Sequence, residues 1–172
     1  MKRRTVFFFC LIVLSGSLHP SPTRITEKEF AAVMRIGRAL DVPPSVTAAL
    51  MLEESSGCPD ARGPVVKGYR ALGLFQIYTK PDNLADLLDH EWVRRGRRLV
   101  DFDILNPEHN AIVALGYLSR LHSRFRSWEV ALIYFNNGDV KNAPLETVLY
   151  AKRIVANMFC GYPWTRRKNY VR

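Results

Sequence analysis

The twelve residues "SVTAALMLEESS", Ser45 to Ser56, constrain this chain more than any other stretch. From Val46 to Leu52 only Thr47 is polar, so a helix here has no hydrophilic stripe to turn toward water and belongs inside the protein. The run then ends in two adjacent carboxylates, Glu53 and Glu54, followed by two serines. A fold built around this helix must place acid at the edge of its own core, as a solvated terminus or as a chemical group. Successive helix positions point about 100° apart, so the two acids cannot enter one cleft equally. Helical phase does not choose between them, since Glu53 aligns with Val46 and Leu50, and Glu54 with Leu50 and Met51.

The flanks supply more helices. Thr26 stands three residues before Glu29, the spacing of a capping box, and Phe30, Val33, Met34 and Leu40 recur at near-helical intervals, which predicts a first helix over Thr26–Leu40. "DVPP" breaks it; Asp41 is expected to cap the central helix and the prolines to occupy its first turn. Asn106 and Pro107 open a long helix in which Ile112, Leu115, Leu118, Leu121 and Phe125 share a face. Ser127 and Gly138 bracket a short apolar helix as cap and stop. A last helix begins near Pro144 and Glu146 and carries Val148, Tyr150, Ile154, Val155 and Met158 mostly inward. Between Gly57 and Ile77 the text is rich in Gly, Pro and Arg, the only place for strands, with extended pieces around Val65, Val66 and Tyr69. Leu84–Arg98 is amphipathic and then strongly basic, with Arg94, Arg95, Arg97 and Arg98 read as a solvated face or as a contact to anionic polymer.

A chain of 172 residues suffices for one domain with a real core. Its ends read as additions to that domain. Residues 1–17 combine Lys2, Arg3 and Arg4, the apolar run "TVFFFCLIVL" and the small residues "SGS", the pattern of a signal peptide. The apolar run is shorter than the roughly 20 residues a permanent membrane span takes. The expected organisation is thus a signal peptide at 1–17, one folded domain at 24–160 and a basic tail at 161–172. Loss of the leader removes three basic residues and no acid, so the net charge falls from +9 to +6 and an anionic partner is favoured. Export argues for an acidic envelope polymer and against nucleic acid. Cys58 and Cys160 remain, readable as a disulfide or as two small buried hydrophobes. His19, His90, His109 and His122 show no paired ligand spacing, so no metal is expected.

Five short motifs then fall in one order: Glu54-Ser55, the segment Gly73-Leu74-Phe75-Gln76-Ile77, Asn106-Pro107 with Asn110, Phe135-Asn136-Asn137-Gly138, and Glu146-Thr147 with Tyr150. In this the chain resembles the soluble lytic transglycosylases, whose goose-type lysozyme-like domain cuts bacterial peptidoglycan, over roughly Phe30 to Ile154. The resemblance implies a mainly α, lysozyme-like α+β domain with a central buried helix and a small loop or hairpin region lining a cleft. It implies Glu54 as the catalytic residue, acting first as acid and then as base, so that the muramic acid 6-hydroxyl closes a 1,6-anhydro ring without water. Ser55, Gln76, Phe75, Phe135, Asn136 and Tyr150 are the implied substrate-binding residues, with Tyr78 a further aromatic candidate. No cofactor is implied. The expected partner is the peptidoglycan glycan strand, acted on by a monomer exported to the periplasm or cell envelope; a partner in the envelope or in a secretion apparatus would also suit so small a domain.

Three departures from the family pattern bear on this reading. The segment between Glu54 and Gln76 is several residues longer than usual, Phe135 stands where the family commonly has tyrosine, and Pro81–Leu105 is enlarged and basic. Two rival readings follow. A hydrolytic muramidase on the same scaffold needs a second carboxylate to position water, with Asp60 and Glu53 as candidates. A non-catalytic wall-binding or scaffold protein is supported by the missing tyrosine and opposed by the intact Glu54-Ser55 pair.

Overall fold

The structure, a computed structural model, describes residues 24–79 and 102–159. The leader at 1–17, the basic stretch Leu84–Arg98, Cys160 and the tail at 161–172 lie outside the described residues. Five helices and one small sheet make up the described fold, in the order α1 (Glu27–Ala39), α2 (Pro44–Ser55), β1 (Arg62–Val66), β2 (Tyr69–Leu72), β3 (Ile77–Thr79), α3 (Pro107–Phe125), α4 (Trp128–Asn137) and α5 (Leu145–Phe159). The mainly helical expectation holds. Strand extends to Thr79, just past the predicted limit at Ile77.

Local chemistry explains most helix ends. Thr26 and Glu29 form the capping box of α1. Asn106 Oδ1 accepts from the backbone of Glu108 and His109 at the start of α3, and Ser127 Oγ accepts from Val130 N at the start of α4. Asp41 does not cap α2. It sits at φ +57° in the turn, Pro43 is the N-cap without a side-chain bond, and the prolines alone preset the first turn.

The helices form a closed ring of neighbours, α1 on α2, α2 on α5, α5 on α4, α4 on α3, and α3 on α1. Inside it Val46, Ala49, Leu50 and Met51 of α2 meet Leu115 and Leu118 of α3, Leu132 of α4 and Ile154 of α5 in one buried cluster. The apolar-all-round sequence of α2 is therefore a consequence of having protein on every side. Gly37 lets α1 approach it, because a Cβ there would lie 2.4 Å from Thr47 Oγ1. Among the described residues only two buried side-chain polar atoms have no hydrogen-bond partner, this Thr47 hydroxyl and Arg70 Nε.

The sheet is antiparallel, in the order β1–β2–β3. Lys67 and Gly68 both adopt positive φ at the tip of the first hairpin, as a tight two-residue turn requires. A register shift between Arg62 and Val65 bends β1, and Gly63 sits 3.1 Å, at its would-be Cβ, from the Ala71 Cβ opposite. The longer segment after Glu54 is thus spent on a hairpin.

Candidate active site

α2 delivers two carboxylates to α5, and the helical offset between adjacent positions separates their fates. Glu53 reaches Arg153, whose Nη2 and Nε donate to its Oε1 at 2.5 and 2.9 Å, in a pair open to solvent on the Arg153 side. Glu54, by contrast, is 9% exposed, and the hydroxyl of buried Tyr150, one turn earlier on α5, donates to its Oε1 in a short hydrogen bond. Burial raises the Glu54 carboxyl from 4.5 to about 8; the Tyr150 hydrogen bond opposes the rise and the nearby Glu53 charge adds to it. At neutral pH this group holds its proton, although the equilibrium is close enough for it to be released. An acid that can both give and retake a proton near pH 7 is what general acid–base chemistry needs.

The loop after β2 is clipped to this helix end. Ser55 Oγ donates to Leu74 O at 2.7 Å and lies 3.3 Å from Met51 O, and it accepts from Cys58 N at 3.2 Å. Its hydroxyl is spent on holding the turn against α2, which leaves the expected substrate contact without a free donor. Asn110 of α3 fixes the same turn from the other side: its Oδ1 accepts from Phe75 N at 2.8 Å, while Nδ2 donates to Leu72 O at 3.1 Å and Ile104 O at 2.9 Å. Gly73, at φ +77°, is obligatory here, since a Cβ would fall 2.3 Å from Asn110 Nδ2.

Gln76, at φ +47°, donates from Nε2 to Gly73 O at 2.9 Å and Ala61 O at 3.3 Å. Its half-buried carboxamide oxygen has no donor among the described residues, so it remains able to accept. Asn136 is buried on α4, where its Oδ1 accepts from Thr147 Oγ1 at 3.0 Å and ties α4 to α5. Phe75 and Phe135 require a correction. Both are in the core, at 0% and 2% exposure, and a ring with no open face offers nothing for a sugar to stack on. Phe135 instead meets Tyr117 with ring centres 5.8 Å apart. Tyr69 and Tyr78, stacked on the sheet with ring centres 5.2 Å apart, do retain partial exposure.

The structure therefore brings Glu54, Ser55, Tyr150 and the backbone of the Gly73–Gln76 turn together, while the rings of Phe75 and Phe135 enter the core and Glu53 turns to Arg153. Asn110 appeared in the sequence only as part of a motif, and its carboxamide is the clip on which the turn depends. Thr147, the partner of Asn136, carried no separate signal. Cys58 is a thiol that donates to Asp60 Oδ1 at 2.8 Å; burial and this bond push it up to about 11.

A model of the transglycosylase SLT domain matches residues 32–147, well over half of the chain. The chain belongs to this family. A solved structure of the lytic transglycosylase Slt of Pseudomonas aeruginosa, an inactive mutant, superposes with a TM-score of 0.58 at 21% identity over 74% of this chain. That likeness is one of fold, and the chain spans only 23% of the Pseudomonas chain's length. No curated protein sequence matches the chain. Within the SLT-domain family the five motifs acquire places: Glu54-Ser55 closes α2, Gly73–Ile77 forms the turn into β3, Asn106 to Asn110 opens α3, Phe135 to Gly138 ends α4, and Glu146 to Tyr150 lies on α5. The phenol that touches the Glu54 carboxyl is that of Tyr150, and Phe135 is buried in the core. No helix among the described residues is long and apolar enough to cross a membrane.

Proposed function

We propose that the protein is a peptidoglycan lytic transglycosylase that cleaves the β-1,4 bond between N-acetylmuramic acid and N-acetylglucosamine, with Glu54 as its one catalytic carboxyl group. The observation that carries this reading is a single buried, protonated acid at the end of α2 with no second free carboxylate beside it among the described residues: Glu53 is held by Arg153, and Asp60 accepts a hydrogen bond from the Cys58 thiol. Ordinary glycosidases divide the work between two carboxylates. One suffices when the substrate supplies the nucleophile.

Glu54 gives its proton to the bridging oxygen as the C1–O bond breaks, and the departing N-acetylglucosamine leaves as an alcohol. The muramic acid 6-hydroxyl then attacks C1 and its proton returns to Glu54, so no water is consumed and the product is a 1,6-anhydro sugar. Tyr150 holds the carboxyl in place, and its hydrogen bond keeps the proton from being bound too tightly to leave. The open carboxamide oxygen of Gln76 is the substrate contact best supported among the implied set, accepting from an N–H or hydroxyl of the glycan. The site of action is the periplasm or cell envelope. Mass spectrometry of digested cell-wall sacculi tests the assignment: wild type should release 1,6-anhydro muropeptides and Glu54→Gln none. Reducing-end products in their place would make the protein a hydrolytic muramidase, and no product from wild type would leave it a binding protein.

A further inference from the structure

The sheet carries a charge imbalance that the proposed reaction does not use. From Ala61 to Thr79 there are three cations, Arg62, Lys67 and Arg70, and no aspartate or glutamate. None of the three side chains finds an acceptor among the described residues, whereas Arg153 on α5 is paired with Glu53. Arg70 is the unusual one. It lies opposite Val65 on one side and Thr79 on the other, and alternation along β2 puts it on the face shared with Leu72, which packs on the core. Its Nε is buried there without a partner. A buried N–H on a cationic group normally has an acceptor, because leaving it empty is costly. That Nε is closed to water and so to any ligand, which leaves the outer guanidinium nitrogens of this half-buried side chain to take an acceptor from outside.

We propose that Arg70, with Arg62 and Lys67 supplying the surrounding positive field, binds a carboxylate of the peptide stems carried by the wall polymer. The inference rests on the transglycosylase reading and adds to it the part of the substrate that the cleavage chemistry does not touch. Reach is compatible with it. Gly73 lies three residues after Arg70, about 10 Å of extended chain, and the Gly73–Leu74 turn is bonded to Ser55, the neighbour of Glu54. A stem hangs from the lactyl group of the same muramic acid whose glycosidic bond is cut, and a peptide of a few residues is long enough to span such a distance. A guanidinium offers a carboxylate two parallel donors, which a lysine cannot match.

The test uses the full chain with Glu54→Gln, so that fragments persist, and measures binding of peptide-bearing muropeptide oligomers before and after amidation of their carboxyl groups. The Glu54→Gln protein should prefer the native fragments by about tenfold, the scale of one charge-assisted hydrogen bond. Adding Arg70→Gln should erase that preference while leaving affinity for amidated fragments unchanged, and Arg70→Lys should keep only part of it. The proposal is overturned if Arg70→Gln retains the full preference or weakens both fragments equally. Should Arg70→Gln fail to fold by circular dichroism, an undiminished preference in Arg70→Lys overturns it instead. A parent protein that bound neither fragment would remove the substrate reading and this site together, whereas a preference independent of Arg70 removes the site alone.

Discussion

Replacing Glu54 by glutamine keeps the shape of the side chain and an acceptor for Tyr150 but deletes one proton equilibrium. In the unfolded chain a glutamate loses its proton around 4.5; in the folded protein this one keeps it to about 8. Between those values the native state binds a proton that the unfolded state has released, so unfolding becomes easier as pH rises. The stability contributed by the protonated carboxyl is fully present below pH 4.5 and is lost progressively up to about pH 8. About three and a half pH units at about 1.4 kcal/mol each give roughly 5 kcal/mol. A neutral carboxamide in the same place has no such loss. Urea unfolding of both proteins at a series of pH values should therefore show near-equal stabilities at pH 4.5 and an advantage for Glu54→Gln that grows with pH and levels off above 8. All other titrating groups are common to the two chains, so the difference isolates this one. A plateau of about 2 kcal/mol would mean that water enters to solvate the charged form at less than the full burial cost. A difference that did not change with pH would refute the reasoning, since it would place the carboxyl in an ordinary, hydrated setting.

Asn110→Ala strips the acceptor from Phe75 N and the donor from two carbonyls, Leu72 O and Ile104 O. Chemical denaturation should show a loss of about 3–5 kcal/mol, with activity on cell walls falling further than stability explains because the Gly73–Gln76 turn is released; a loss under about 1 kcal/mol would deny the clip its role. Tyr150→Phe removes the one interaction that lowers the Glu54 value, so the alkaline limb of the activity profile should move to higher pH. An unmoved limb, measured as rate against pH on sacculi, would show that the hydroxyl does not act on the carboxyl.

Much of this architecture could be read directly from residue patterns. Capping chemistry at Thr26, Asn106 and Ser127 located three helix starts, and the missing polar stripe of α2 announced its central position. Two things were not legible. The first was any physical reason to prefer Glu54 over Glu53: helical phase does not distinguish them and only the resemblance pointed to Glu54, whereas Tyr150 and Arg153, from a helix about a hundred residues away, give the two acids different settings. The second was the destination of Phe75 and Phe135, since an aromatic ring fits equally well into a core or against a sugar and sequence spacing does not say which. Asp41 failed as a cap for a local reason: the intervening Val42 and Pro43 carry the chain into the helix, and Asp41 is spent in the turn before it. Ser55 and Asn136 illustrate a further ambiguity, that polar residues of a motif can serve the scaffold by bonding within it, as these two do with Leu74 and Thr147.

The proposed cleavage depends on the carboxyl at the end of α2 retaining its proton at neutral pH, and carbon-13 NMR of glutamate-labelled protein, with the resonance assigned by its absence in Glu54→Gln, measures that directly. A titration midpoint for Glu54 near 8 is the predicted result. A midpoint near 4.5 would contradict it, leaving the group ionised at neutral pH with no proton to give to a glycosidic oxygen.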